Sequence, residues 1–577
     1  MKKTIDPIRF EVIRNALTEA TEEMSAALKR SAYSTNIKTR CDFSCCFFDY
    51  NLRVIAQAFG QPTHLGSMVQ TVHYGITEYG IDNIDEGDGI MTNHPYLGGV
   101  HLNDISLISP VVYKGSTVGF VANLAHHVDV GGGAPASIGA FKEVYQEGVI
   151  IPAVKFMRNW KVVDDVFNLI LAQVRAKRET SGDFRAQIAA NATGIRRFTD
   201  LLDTYGMDEM DYYMNAIVDY TDQRVAQEFA KFPHGIYEAE GYIDNDGYTD
   251  KPVLLKVQVA INSDGITFDL TGSDPQRKAP VNATYAMTYS GVAFVMKCLI
   301  DPDVPTNQGF YKHIKLIAPE GSVVNCTTPY PAVGGWETQV RLIEVILKAF
   351  SLVVPEQVPA GTKGMMAQVG AGGMDPRKKE FYCFYEAVGG GFGGRINSDG
   401  PDAVGVHGQN TQNAPVEETE QNYPLRIVRY ELINDSGGAG KHRGGMGIRR
   451  DYELVDHDAS MTILSDRDHW GPWGLFGGEA GEKAYYLLNP GENEKRLGSK
   501  LSVDLKSGSR LSFQTPGGGG YGSPLDRDPE QVLDDVHNSK VSIERAKSAY
   551  KVVLNDQGTS VNMEATNKLR QESRGGK

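Results

Sequence analysis

The sequence predicts a mixed α/β chain of the α+β kind, divided into several domains. A metal-bearing N-terminal domain comes first, strand-rich central and C-terminal parts follow, and a short helical tail ends the chain. Three observations predict this. A chain of 577 residues with 41% hydrophobic side chains exceeds what one core needs. Apolar residues recur at helical spacing between Pro7 and Leu28 and again between Trp160 and Asp222. From Gly89, and above all beyond Pro233, β-branched and aromatic runs punctuated by glycine take over.

The first helix begins at Asp6, a cap residue, with Pro7 at the first helical position. Ile8, Val12, Ile13, Leu17, Ala20, Met24, Ala27 and Leu28 are expected on its buried face. A second helix is expected from Leu65 to Tyr79. Strands are expected from Ile105 to Tyr113 and from Val118 to Leu124, joined by a turn at Lys114-Gly115-Ser116. Pro233-His234-Gly235 marks a boundary, followed by strands Gly235–Ile243, Val253–Ile261 and Ile266–Leu270. Buried helices are expected at Val292–Ile300 and Val340–Leu352, and strands at Arg426–Ile433 and Ile448–Val455. The tail from Pro529 to Val553 reads as one helix, with frayed polar residues past Asp556. The domains implied are 1–234 with the metal site, 235–352 rich in strands, 353–525 rich in glycine and strands, and a helical tail at 526–577.

The formal net charge of -14 argues against a nucleic-acid partner, which needs a basic stripe. Six cysteines without a CxxC pair read as free thiols in a reducing cytosol. Met1-Lys2-Lys3-Thr4-Ile5-Asp6-Pro7 has no apolar run behind its lysines, so no secretory leader is expected. No stretch approaches the roughly 18 apolar residues of a membrane span. A cytoplasmic protein without membrane contact is therefore expected.

Histidines are sparse, 13 in all, yet three fall in one window. It reads His101-Leu102-Asn103-Asp104 and then Ala125-His126-His127-Val128-Asp129. Imidazole and carboxylate together suit Zn²⁺, Mn²⁺ or Fe²⁺. A hairpin centred near Gly115 would fold the two arms together. A three-residue loop sets Asp104 opposite His126; a two-residue loop sets Asn103 there. His101 and Asp104 are three apart, so on a regular strand they would face opposite ways. The strand must therefore start after His101 or carry a bulge. Asp42, set between Cys41 and Phe43, is available as a fourth ligand, with Cys41 and Cys45 as competing soft donors.

At this cluster the chain resembles the B subunit of the ATP-dependent hydantoinase, 5-oxoprolinase and caprolactamase family, itself related to the large subunit of acetone carboxylase. The resemblance runs from about Asp6 to Pro524. It is carried by Asn93-His94-Pro95-Tyr96-Leu97-Gly98-Gly99-Val100-His101-Leu102-Asn103-Asp104, by His126 to Gly132, and by Gln146 to Pro152. Gly182 to Gln187, Asn307-Gln308-Gly309, Gly389 to Gly394 with Asp399-Gly400, and Pro516 to Gly519 continue it in order. The resemblance implies a divalent metal on His101, Asp104 and His126, with Asp42 as the acidic ligand of the hydrolase branch. His127 and Asp129, beside these ligands, are candidates for proton transfer or for supporting the ligands.

It further implies a partner. An ATP-binding hydantoinase A-type subunit, using ATP and Mg²⁺, would phosphorylate a cyclic amide oxygen, and the present chain would open the activated ring with metal-activated water. An A2B2 assembly is implied. Hydantoin, 5-oxoproline and caprolactam are all consistent rings. A ketone carboxylase of the acetone or acetophenone type and a non-catalytic scaffold are the rival readings. The length of the chain and the presence of Asp42 favour the hydrolase.

The chain carries no nucleotide motif of its own. Gly440-Lys441 is followed by His442, and Asp435 stands where a Walker A motif needs its first glycine. Gly389, Gly391 and Gly394, like Gly517, Gly519 and Gly522, satisfy GxGxxG without leading into a helix, so backbone packing is the better reading. Glu417, Glu418 and Glu420 read as a solvated or subunit-facing patch. His442 and Arg443 could hold a phosphate or a structural ion pair. Trp336-Glu337-Thr338 after two glycines could line a pocket or sit in the core.

Overall fold

The Asp6 carboxylate accepts hydrogen bonds from the backbone N–H groups of Ile8 and Arg9 and so caps helix α1, Pro7–Ser31. Its buried stripe is Phe10, Ile13, Leu17, Ala20, Met24 and Leu28. Ile8 and Val12, expected inside, are exposed. At 100° per residue they lie on the side opposite Phe10 and Leu17. The computed structural model describes residues 5–58, 60–263, 265–491 and 493–575. Met1–Thr4, on which the leader expectation partly bears, lie outside the described residues.

Seven strands form the first sheet: β1 Phe43–Asp49, β2 Val54–Gln57, β3 Gly89–Thr92, β4 Asp104–Tyr113, β5 Ser116–His126, β6 Val154–Arg158 and β7 Lys161–Val162. Their spatial order is β2-β1-β5-β4-β3-β6-β7. Helices α2 (Thr35–Lys38) and α3 (Ser67–Tyr79) belong to this region. After β7 come α4 (Asp164–Gln173), α5 (Lys177–Tyr205) and α6 (Met207–Phe229). One sheet face packs on α1 and α5 through residues such as Phe47, Val121 and Ala125. The other face, with Phe48, Ile108, Phe120 and Leu124, belongs to the largest core.

A second sheet, in the order β11-β10-β9-β8, contains β8 Gly235–Ile243, β9 Val253–Asn262, β10 Gly265–Asp269 and β11 Ile314–Ile317. Strict alternation of buried and half-exposed residues along β9 shows one face in the core. Against it lie α7 (Tyr285–Leu299), α8 (Gln308–Tyr311) and α9 (Gly335–Phe350). The largest core runs unbroken from the first sheet through these helices to the second sheet, so packing is continuous across residue 234.

Beyond residue 352 two further sheets face each other across one core. They comprise β12 Gln368–Asp375, β13 Glu380–Ala387, β14 Leu425–Leu432, β15 Ile448–Leu454, β16 Ala459–Leu464, β17 Tyr485–Leu488, β18 Lys495–Arg496, β19 Lys500–Leu505 and β20 Arg510–Gln514. Their orders are β13-β12-β16-β19 and β14-β15-β20-β17-β18. A short helix, α10 (Val416–Asn422), precedes β14. The glycine runs pack backbone on backbone: a Cβ at Gly391 would collide with Gly445 O and Gly518 N.

The tail corrects its expectation. Two helices, α11 (Pro529–His537) and α12 (Ile543–Ser548), replace one, because Asn538–Ser542 leaves helical geometry and Ser542 caps the second. Past Asp556 the chain forms α13, Met563–Gly575, rather than fraying. This polar helix is held by Arg570, which donates to Tyr550 O and Arg527 O, and by the Arg574–Asp526 pair. No helix among the described residues is long and apolar enough to cross a membrane.

Candidate metal centre

Strand register assembles the site. Tyr113 pairs with Ser116, so the β4–β5 turn has two residues, Lys114 and Gly115, both at positive φ. That turn alone would set Asn103 opposite His126. Instead the register slips between Val111 and Val112, which pair with Gly119 and Thr117 and leave Val118 as an extra residue. From there on the pairing shifts by one, and Asp104 pairs with His126. On the other side of β5, Phe43 pairs with Ala125 and the His126 N–H donates to Asp42 O at 3.0 Å. Asp42, His126 and Asp104 thus form one row across three adjacent strands and share a face.

His101 joins by a different device. Strand β4 starts only at Asp104, whose N–H donates to His101 O at 3.1 Å and closes a turn over residues 101–104. The turn folds the His101 ring back over the row. His101 Nε2 stands 3.2 Å from Asp104 Oδ2, His126 Nδ1 stands 3.2 Å from Asp104 Oδ1, and the two ring nitrogens are 3.2 Å apart. Asp42 Oδ2 is 3.9 Å from His126 Nδ1.

Sequence reasoning missed one neighbour. His64, in the short helical turn Pro62–His64, brings Nε2 to 3.7 Å from Asp104 Oδ2 while Nδ1 lies 3.3 Å from Ser44 Oγ. Trp336, in the first turn of α9, stands edge-on to His101 at 5.6 Å. Tyr385 of β13 stacks on His126 at 4.9 Å, and the Arg40 guanidinium covers the far side of that tyrosine. Gln61 Nε2 donates to Asp42 Oδ1. Of the two pocket readings for Trp336, both hold: it is buried, and it walls the site.

Both Asp104 oxygens are buried without a hydrogen bond, despite three imidazole nitrogens within 4 Å. Burial alone would raise this carboxyl, but His101, then His126 and His64, outweigh it and hold it well below the usual carboxylate range. Burial in turn lowers His101 toward the neutral form, which is the metal-binding form. The two ring nitrogens and the two Asp104 oxygens they face, with one atom from each residue within 4.8 Å of the others, pass a geometric test. Ligand atoms about 2.0–2.2 Å from one ion stand about 2.8–3.6 Å apart at octahedral or tetrahedral angles. The residues present therefore fit a divalent ion.

His127 and Asp129 are not brought to this row. His127 follows His126 on the strand, so its ring turns to the opposite face, beside Phe184 and Gln187 of α5, with Nε2 3.0 Å from Gln187 Oε1. Asp129 is engaged by the backbone N–H of Gly131 and by the N–H and guanidinium of Arg175. Burial pushes the Cys45 thiol up to about 12, and its side chain packs in the α1 core, so it offers no thiolate. Glu418 accepts from Thr35 and Thr39 and Glu420 from the Ile427 N–H, so both tie α10 down. Arg443 pairs with Asp402 and Asp535, the structural alternative.

Comparison with known proteins agrees with this architecture. The family model described as hydantoinase B/oxoprolinase matches residues 6–524. The B-type chain of a putative D-/L-hydantoinase from a Pseudomonas species is 32% identical, over 98% of each chain. The crystal structure of the ATP-dependent caprolactamase from Pseudomonas jessenii superposes with a TM-score of 0.91 at 30% identity, covering 99% of this chain and 100% of that one. A nucleotide-free acetone carboxylase structure also gives 0.91, at 20% identity, covering 99% and 83%; at that identity the likeness is one of fold. The chain belongs to the hydantoinase B/oxoprolinase family.

Proposed function

We propose that this chain is the metal-dependent, ring-opening subunit of an ATP-dependent cyclic amidohydrolase. Its partner is an ATP-binding hydantoinase A-type subunit, which carries ATP and Mg²⁺, and the pair assembles as A2B2 in the cytoplasm. The substrate is a lactam or hydantoin whose amide oxygen the partner phosphorylates. The observation that carries this reading is the Asp104 carboxylate, buried among three imidazoles with neither oxygen hydrogen-bonded. A buried carboxylate in that state is expensive without a cation. Relatives with printed activities, a hydantoinase and a caprolactamase, support the reaction class.

Asp42, His101, Asp104 and His126 would hold Zn²⁺ or Mn²⁺. Such an ion, when bound, lowers the pKa of water toward neutrality and polarises a carbonyl. The chain's own residues do the rest. Resonance makes an amide carbon a poor electrophile, and O-phosphorylation turns it imidate-like, so the chain needs to present water rather than a stronger nucleophile. His64, oriented through Ser44, stands beside Asp104 and can hold a water by hydrogen bond through Nε2. Trp336 and Tyr385 exclude bulk solvent, which strengthens every charge interaction within.

The test is elemental analysis of the purified two-subunit complex together with ATP hydrolysis across hydantoin, 5-oxoproline and caprolactam. Stoichiometric metal and lactam-dependent ATP turnover are expected. ATP turnover with a ketone and bicarbonate instead would make it a carboxylase. Ring opening that survives His101→Ala and Asp104→Ala would make it a scaffold.

A further inference from the structure

A cavity of about 320 Å³ lies where α7 and α9 meet the glycine-rich loops, and none of Asp42, His101, Asp104 and His126 lines it. Helix α7 contributes Phe294 and Leu299, and α9 contributes Leu347. The loops after β13 contribute Phe392, Arg395 and the strap 405–409. The volume reaches the range of small-molecule sites, about 300–1,000 Å³. Cys298 and Arg395, both exposed, stand where the cavity opens to solvent.

Two polar side chains on this cavity are uncommitted. His407 is only 8% exposed, and its ring stands edge-on to Phe392 at 5.1 Å and to Phe294 at 6.1 Å. Neither ring nitrogen is hydrogen-bonded among the described residues. Burial lowers this histidine to about 4, so the ring is neutral at pH 7 and offers one N–H donor. Glu344, whose charge works the other way, is already engaged by Arg467 and Thr362. A buried donor without an acceptor is uncommon in a folded protein. Arg395 closes a turn by its backbone N–H on Ser398 O, but among the described residues its guanidinium meets no carboxylate. Arg341, Arg443 and Arg467, by contrast, are all ion-paired.

The lining defines the ligand. Its walls are aromatic and aliphatic, it carries one free cation and one neutral donor, and it holds no acidic side chain. A carboxylate accepts from a guanidinium and from an imidazole N–H at once. A phosphate ester near pH 7 approaches two negative charges, more than a single arginine balances. An ammonium on the ligand would find no acid to receive it. We propose that this cavity binds a small monocarboxylate with an apolar chain or ring, its carboxylate on Arg395 and His407 and its body against Phe294, Phe392 and Leu347. The apolar contacts supply attachment, and the two polar groups fix orientation and select the charge. This inference is independent of the chemistry at the metal centre.

The test is calorimetric titration of the full chain, alone and in the two-subunit complex, with hexanoate, hexanamide and 6-aminohexanoate. Circular dichroism confirms the folding of each variant. A ligand of this size predicts hexanoate binding at about 0.1–1 mM. Hexanamide lacks the charge and 6-aminohexanoate adds an ammonium, so both bind more weakly by about tenfold. Arg395→Met keeps the apolar stem and His407→Phe keeps the aromatic packing, and each weakens hexanoate by about tenfold. Asp104→Ala, aimed at the metal centre, leaves hexanoate binding unchanged. Absence of saturable binding, binding indifferent to both Arg395→Met and His407→Phe, or binding lost in Asp104→Ala overturns the proposal. So does equal binding of hexanamide or 6-aminohexanoate, which removes the selection for charge. Binding to the chain alone but not to the complex assigns the cavity to the partner subunit and also overturns it.

Discussion

Two buried clusters of acids in this molecule are built on opposite principles. At Asp244, Asp466 and Asp468 the chain supplies its own cations. Asp466 is held by Lys500 at 3.0 Å and Arg341 at 2.7 Å, and Asp244 accepts the backbone N–H groups of His469 and Trp470. Glu344 is paired with Arg467 beside them. At Asp104 the neighbours are imidazoles, of which burial drives His101 toward its neutral form, and no arginine or lysine among the described residues approaches within ion-pair distance. Both clusters lie within reach of a single ion by distance. The first is already neutralised and serves cohesion between β8 and the loop after β16. The second, on the proposed reading, takes its positive charge from a bound ion.

The comparison can be broken most directly at Asp104. Replacing it with Ala should abolish stoichiometric metal and lower ring opening about a thousandfold, several kcal/mol of lost activation. Elemental analysis and turnover of the reconstituted complex measure both. Asp466→Ala should do the reverse: metal content stays, while unfolding free energy falls by about 3–5 kcal/mol because Lys500 and Arg341 lose their buried partner. Urea unfolding reads this, and loss of metal in Asp466→Ala would erase the distinction.

Smaller effects sharpen it. His64→Gln should keep metal binding and fold but slow turnover about ten- to a hundredfold, a split that a ligand would not show. Acid should also separate the clusters. Burial tends to raise Asp466, but Lys500 and Arg341 outweigh it and keep it below the usual aspartate range. A depressed carboxylate stabilises the fold above its unfolded pKa of about 4 and loses that contribution as pH falls through its folded value. The stability gap between wild type and Asp466→Asn should therefore be full at neutral pH and shrink below about pH 4. Unfolding titrations at several pH values measure it.

Much of the site is legible in the sequence. The His101-x-x-Asp104 spacing and His126 are grouped by sequence reading and the fold brings them together, and the conflict of strand phase disappears because β4 starts at Asp104. His64 is not legible, because a lone histidine in Pro62-Thr63-His64 has no periodic context and approaches Asp104 only through the fold. The walls Trp336 and Tyr385 come from segments more than 200 residues away, for which local spacing holds no signal. Helix α13 escapes because its order depends on arginine contacts to distant carbonyls rather than an apolar stripe. Asp129 looks catalytic by adjacency, and only the fold shows that Arg175 occupies it.

The extra residue at Val118 has a consequence for how this hairpin tolerates change. It lies near the turn, about 24 Å along β4 from Asp104, where a loss of one residue would ordinarily be harmless. Here the hairpin counts. Deleting Val118 itself would only remove the extra residue and leave Asp104 facing His126, but deleting Val112 from the opposite arm, with the bulge kept, would present Asn103 to His126 and carry Asp104 out of the row. Such a variant would keep every ligand in its sequence yet bind no metal, as elemental analysis would reveal. Length at the far tip, and not only chemistry at the near end, is therefore under constraint.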